Sequence, residues 1–128
     1  MDRLRVMTWT VTTTGGAGSA SGNADSPSPI TGEVLAVYVD YHASAPATTD
    51  LTLKTKGDTP PSYNIIVISN SATDAYKAPR SGAVDAANAA ITNSFVPFAV
   101  SDKLNCALAQ SDALTDAVRV TVLYRDIS

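Results

Sequence analysis

The stretch Ala117-Val118-Arg119-Val120-Thr121-Val122-Leu123-Tyr124-Arg125 constrains this chain more than any other. Val118, Val120, Val122 and Tyr124 fall on one side of an extended backbone, and Arg119, Thr121, Leu123 and Arg125 on the other. Strict alternation of β-branched and aromatic residues marks a half-buried strand, whereas a helix would scatter the valines around its circumference. No Gly or Pro interrupts the run, so the strand can sit inside a sheet. The remaining segments have to supply partners for it.

Several do. Leu4 to Val11 alternates with Met7, Trp9 and Val11 on one face; Leu4 and Val6 are out of phase, which predicts a bulge near Val6-Met7. Gly32 to His42 is apolar on both faces near its middle, with Val34, Ala36 and Tyr38 against Leu35, Val37 and Val39. That pattern predicts a central strand covered on both sides. Asp50 to Thr55 turns Leu51 and Leu53 inward, Tyr63 to Ile68 is a short apolar strand, and Lys103 to Ala109 points Leu104, Cys106 and Leu108 one way. Phe95 to Val100 contains Pro97 and reads as an edge strand.

Two stretches lack such texture. Residues 14–29 are rich in Ser, Gly and Pro and read as a loop or hairpin tip, with at most a weak strand near Ser19-Ala20-Ser21. Residues 69–94 are Ala-rich and read as a long connection with at most one short helix, near Val84 to Ile91. Lys56 to Pro61 is a loop by composition. The sum is a single all-β domain over residues 1–128: an antiparallel β-sandwich or jelly roll of about seven to eight short strands. A small closed barrel is the alternative.

Composition limits the function classes. The chain carries 9 Lys and Arg against 12 Asp and Glu, a net charge of −3, with no basic cluster beyond Arg3 and Arg5. Nucleic-acid binding needs clustered positive charge, so no nucleic-acid partner is expected. Charged residues are 16% of the chain, below the roughly 25% of ordinary domains, with Thr, Ser and Ala in their place. Such a surface suits a protein packed against copies of itself or a partner. A lone cysteine excludes an internal disulfide and cysteine zinc sites. No run approaches the ~20 apolar residues that cross a bilayer, so no membrane partner is expected. The N-terminus enters strand pattern without a signal-peptide core, which predicts synthesis and folding in a reducing cytosol.

No constellation for catalysis emerges, and no catalytic, cofactor-binding or metal residue is assigned. His42 is the only histidine, and no Gly-x-Ser-x-Gly elbow accompanies it. Eleven of the twelve acids are Asp, mostly in turn-like contexts where Asp caps its own backbone. Gly15-Gly16-Ala17-Gly18 lacks the Gly-Lys-Ser/Thr ending of a phosphate loop. Cys106, between Leu104 and Leu108, reads as a small buried hydrophobe. Trp9 and the five tyrosines read as core or interface, and no exposed aromatic cluster with polar neighbours occurs at close spacing.

From Ile65 onward the order of features carries a resemblance. Ile65-Ile66-Val67-Ile68-Ser69-Asn70 is followed by Thr73-Asp74-Ala75-Tyr76 and Pro79-Arg80. After the Ala-rich span come Phe95-Val96-Pro97-Phe98-Ala99-Val100, Leu104 to Gln110 and the closing strand. The Thr-rich first strand and Gly-rich turn before Ile30-Thr31-Gly32 complete the pattern. This is similar to small structural proteins of tailed bacteriophages, among them the cement, or decoration, proteins of the capsid. The resemblance implies a non-enzymatic β-sandwich without cofactor, on the outer capsid surface of the virion and made in the host bacterial cytoplasm. It further implies homotrimers that clamp neighbouring major capsid protein subunits and stabilise the expanded head. The alternatives are another virion part, such as a tail or head-fibre base, and a carbohydrate-binding β-sandwich module.

Overall fold

The computed structural model describes residues 2–57 and 63–128. The described chain has eleven strands and no helix: β1 (Arg3–Val11), β2 (Ala20–Asp25), β3 (Ile30–Tyr41), β4 (Asp50–Thr55), β5 (Asn64–Ile68), β6 (Ala75–Lys77), β7 (Ser81–Val84), β8 (Ala90–Val96), β9 (Phe98–Asp102), β10 (Leu104–Ser111) and β11 (Val118–Asp126). The loop read at Lys56 to Pro61 lies in part outside the described residues.

One sheet runs β1-β11-β3, with β6 and β9 both pairing the far side of β3; the other runs β2-β10-β4-β5. Every pairing is antiparallel. Without β6, β7 and β8, the orders β1-β11-β3-β9 and β2-β10-β4-β5 are those of an eight-stranded jelly roll, whose chain crosses between two packed sheets at every connection except β4 to β5. The strand number expected for the sandwich therefore describes its frame. The three extra strands are an insertion between β5 and β9.

β11 lies between β1 and β3, as its uninterrupted alternation requires. Val118, Val120, Val122 and Tyr124 face the core with Met7, Trp9 and Val11 of β1. The other sheet answers with Leu51, Leu53, Leu104, Cys106 and Leu108. Burial of this much apolar side chain, at roughly 1.5–3 kcal/mol for each large residue, is what holds the layers together.

Four expectations change. The bulge expected near Val6-Met7 is absent: β1 pairs β11 in unbroken register, and Leu4 and Val6 lie on the solvent face. The irregularity sits in β3, where Leu123 pairs Ala36 but Tyr124 pairs Val34, leaving Leu35 as the extra residue. That bulge brings Val34 onto the core face with Val37, Val39 and Tyr41. β3 is central, but Tyr38 on its outer face is exposed, so the strand is not covered on both sides.

The Ser/Gly/Pro-rich stretch is not all loop. β2 forms within it, six residues along β10. Composition argues against this strand, and tertiary contacts override it. Asn105 donates through Nδ2 to Asp25 Oδ1 at 2.9 Å and to Asn23 Oδ1 at 3.1 Å. Gly22 lets β2 approach the chain just beyond β1, since a Cβ there would overlap the Thr12 carbonyl. The fourth change concerns residues 69–94. The stretch forms β6, β7 and β8, and the short helix expected near Val84 to Ile91 is instead the turn that joins β7 to β8.

Candidate interaction surface

The expectation that Asp caps its own turn holds for Asp85 and Asp126, which accept from Ala87 N and Ser128 N, but other acids reach across the fold to distant amides. Asp50 accepts from Asn70 N, Asp74 from Tyr41 N, Asp102 from Gly57 N and Lys103 N, and Asp112 from Gly18 N. His42 is exposed, and its Nδ1 accepts from Ser44 N at 3.0 Å within a turn. With Thr10, Tyr41, Asp40, Asp116 and Arg119 it lines a shallow recess of about 130 Å³. Among the described residues no three His, Cys, Asp or Glu side chains converge as metal ligands. No helix there is long and apolar enough to cross a membrane. Cys106 is fully buried, and desolvation pushes its thiol up to about 12, so it is a poor nucleophile at neutral pH.

What the molecule offers instead is surface. Among the described residues β7 and β8 pair with each other and with no other strand, forming an arm inserted at the edge of the first sheet. Asp85 shapes its tip. Its Oδ1 accepts from Ala87 N at 2.9 Å and Ala89 N at 3.0 Å, while Asn88 takes a positive φ of 64°. Arg80 anchors the root by donating from Nη1 to the Leu35 carbonyl at 3.0 Å and the Pro79 carbonyl at 2.8 Å. At the other root Pro97 separates β8 from β9, and Phe98 stacks on Tyr63 with centroids 5.4 Å apart. Pro97 removes a backbone donor where the chain leaves the arm, so the single strand expected over Phe95 to Val100 is broken there into β8 and β9, the latter at a sheet edge.

The arm is apolar and uncovered. Val84, Ile91, Phe95 and Val96 are all exposed, Phe95 at 65%. An isolated two-stranded hairpin is marginal in water, so this element lacks the packing that stabilises the rest of the fold. Two grooves flank its root. One of about 510 Å³ follows β5, from Ile65 to Ser69, and is faced by Lys77, Ala78 and Pro79. The other, about 420 Å³, is lined by Tyr63, Ser81, Val96, Pro97, Phe98 and Ala99.

A second surface is the outer face of the first sheet. Register places Thr8, Thr121, Tyr38 and Tyr76 side by side across four strands. Tyr38 is 42% and Tyr76 69% exposed. In the neighbouring row Thr10, Arg119 and Asp40 are partners. This corrects the expectation that no exposed aromatics cluster with polar neighbours. The two tyrosines lie far apart in sequence, and only the β3–β6 pairing makes them adjacent.

The frame and these surfaces define the class: a jelly-roll β-sandwich bearing an apolar arm. No protein-family model and no curated protein matches the chain. Among solved structures it is similar to the crystal structure of FlhE, at 14% identity and TM-score 0.47 over 96% of both chains. It is also similar to a family 29 carbohydrate binding module from Piromyces equi, at 10% identity and TM-score 0.37, over 96% of this chain and 80% of that one. At these scores neither likeness carries an argument about function.

Proposed function

We propose that this protein is a non-enzymatic structural component of a tailed-bacteriophage virion, bound to the outside of the capsid and clamping neighbouring major capsid subunits of the expanded head. The observation that carries the reading is the β7–β8 arm, whose exposed Val84, Ile91, Phe95 and Val96 require a partner to bury them. The jelly roll is a frame that capsid proteins use, an analogy at the level of fold alone. The low charge density and the resemblance of residues 65–124 point the same way, and both favour a homotrimer.

The mechanism is mass action. A ligand that binds the assembled lattice and not free subunits stabilises it by RT ln(1 + [L]/Kd) per site, about 2.7 kcal/mol at a hundredfold excess over Kd. Particles made without the protein assemble but release their genome at lower temperature, and purified protein added back restores resistance. Depleted particles as heat-stable as complete ones, with the protein found on the tail or free in the lysate, would sink the reading.

One observation favours a second reading, a carbohydrate-binding module. Tyr38 and Tyr76 offer two adjacent aromatic faces, with Arg119 and Asp40 beside them to bond hydroxyls. Titration of soluble oligosaccharides into wild type and into Tyr38→Ala/Tyr76→Ala tests it. Heat evolved by the wild type alone would support this reading; silence from both removes it.

A further inference from the structure

We infer that the β7–β8 arm of one copy docks in the groove along the free edge of β5 on a second copy, so that subunits close into a ring. The inference deepens the structural reading above and rests on it.

Among the described residues β5 ends its sheet, with β4 on one side and no strand on the other. A free edge leaves backbone N–H and C=O groups unpaired, a template for an added strand. Proteins usually protect such edges with charge. Here the exposed side chains of β5 are Asn64 and Val67, the latter at 60%, and Lys77 is the one charged residue among the described residues that line the groove. The arm is equally bare: residues 81–96 contain a single charged residue, Asp85. Arm and groove are thus both apolar, and their lone charges are of opposite sign.

Why a second copy, and not another protein? A projection and a recess of matching chemistry occur on the same chain. That is the requirement for a head-to-tail contact, in which each subunit gives one arm and receives one. Such a contact buries every arm once the ring closes.

The test uses two variants. One replaces residues 81–96 with a Gly-Ser linker, which leaves the β3–β6 and β3–β9 pairings in place. The other is Val67→Lys/Ser69→Lys, which puts charge on the exposed wall of the groove. Circular dichroism and melting verify that both fold. Light scattering at tens of micromolar should give the wild type a multiple of its 13.2 kDa chain mass, three on the proposed reading, and each variant one chain. Mixed one to one, the variants should form a two-chain complex, since one intact arm and one intact groove remain. A monomeric wild type, a variant that keeps the wild-type mass, or a mixture that stays monomeric overturns the inference. Heat protection of depleted particles separates the two levels. If a monomeric wild type still protects them, the arm-in-groove contact fails and the capsid reading stands. If the wild type does not protect them, the capsid reading fails whatever the oligomeric state.

Discussion

Trp9 of the first sheet donates from its indole Nε1 to the carbonyl of Ala24 in the second, at 3.2 Å. The bond crosses the sandwich and ties β1 to β2, the strand whose composition least favours it. Trp9→Phe removes the donor and part of the packed ring, and should cost about 1–3 kcal/mol. Hydrogen exchange should show β2 amides losing protection more than those of β11. Uniform loss over both strands would mean that the indole supports the whole core and not this crossing.

Val120 stands between Trp9 and Val39 in the registers of β1 and β3 and is almost fully buried. Val120→Asp places a carboxylate there without a partner, at a cost of several kcal/mol. The variant should be insoluble or unfolded. A soluble variant with the wild-type melting temperature would show that β11 does not organise the core.

Cys106 should not react with a thiol reagent in the native protein on the timescale of minutes, and should react at once in denaturant. It is fully buried, and burial raises its thiol to about 12. Fast stoichiometric labelling of native protein would mean that β10 opens readily.

Asp25 predicts a pH effect. The Asn105 amide holds its carboxyl below the ordinary value; burial, the next effect in size, opposes it, and Lys56 at 3.3 Å adds to the lowering. A carboxylate whose pKa is lowered by folding adds stability above its unfolded pKa of about 3.9, and loses it as pH falls through the folded value. The group is partly exposed, so the contribution is small, about 0.2–1 kcal/mol. Urea unfolding of wild type and Asn105→Ala should differ more at pH 7 than at pH 2. An equal difference at both would remove Asp25 from the account and leave only the neutral bonds of Asn105.

Tyr41 buries its hydroxyl without a hydrogen-bond partner among the described residues, and burial lifts its phenol to about 12. A buried polar group without a partner costs about 1–3 kcal/mol. Tyr41→Phe should therefore melt no lower than wild type, and up to about 1 kcal/mol more stable. A clear loss of stability would reveal a bond that the hydroxyl makes.

Side-chain periodicity alone determined the all-β class, the inward faces of β1, β4, β10 and β11 and the burial of Cys106. Each depends on neighbours within a few residues, and alternation reports them directly. What alternation cannot report is which strands meet. The bulge at Leu35 exists because β3 must serve the core on both sides of a register shift with β11. β2 exists because Asn105, Trp9 and a close approach at Gly22 outweigh a composition suited to turns. The Tyr38–Tyr76 row and the groove beside the arm are products of long-range pairing. The arm itself was hidden in an Ala-rich segment because its apolar residues face no core, so no periodic pattern records them. Local sequence specifies the direction of each side chain, and only tertiary pairing decides what stands beside it.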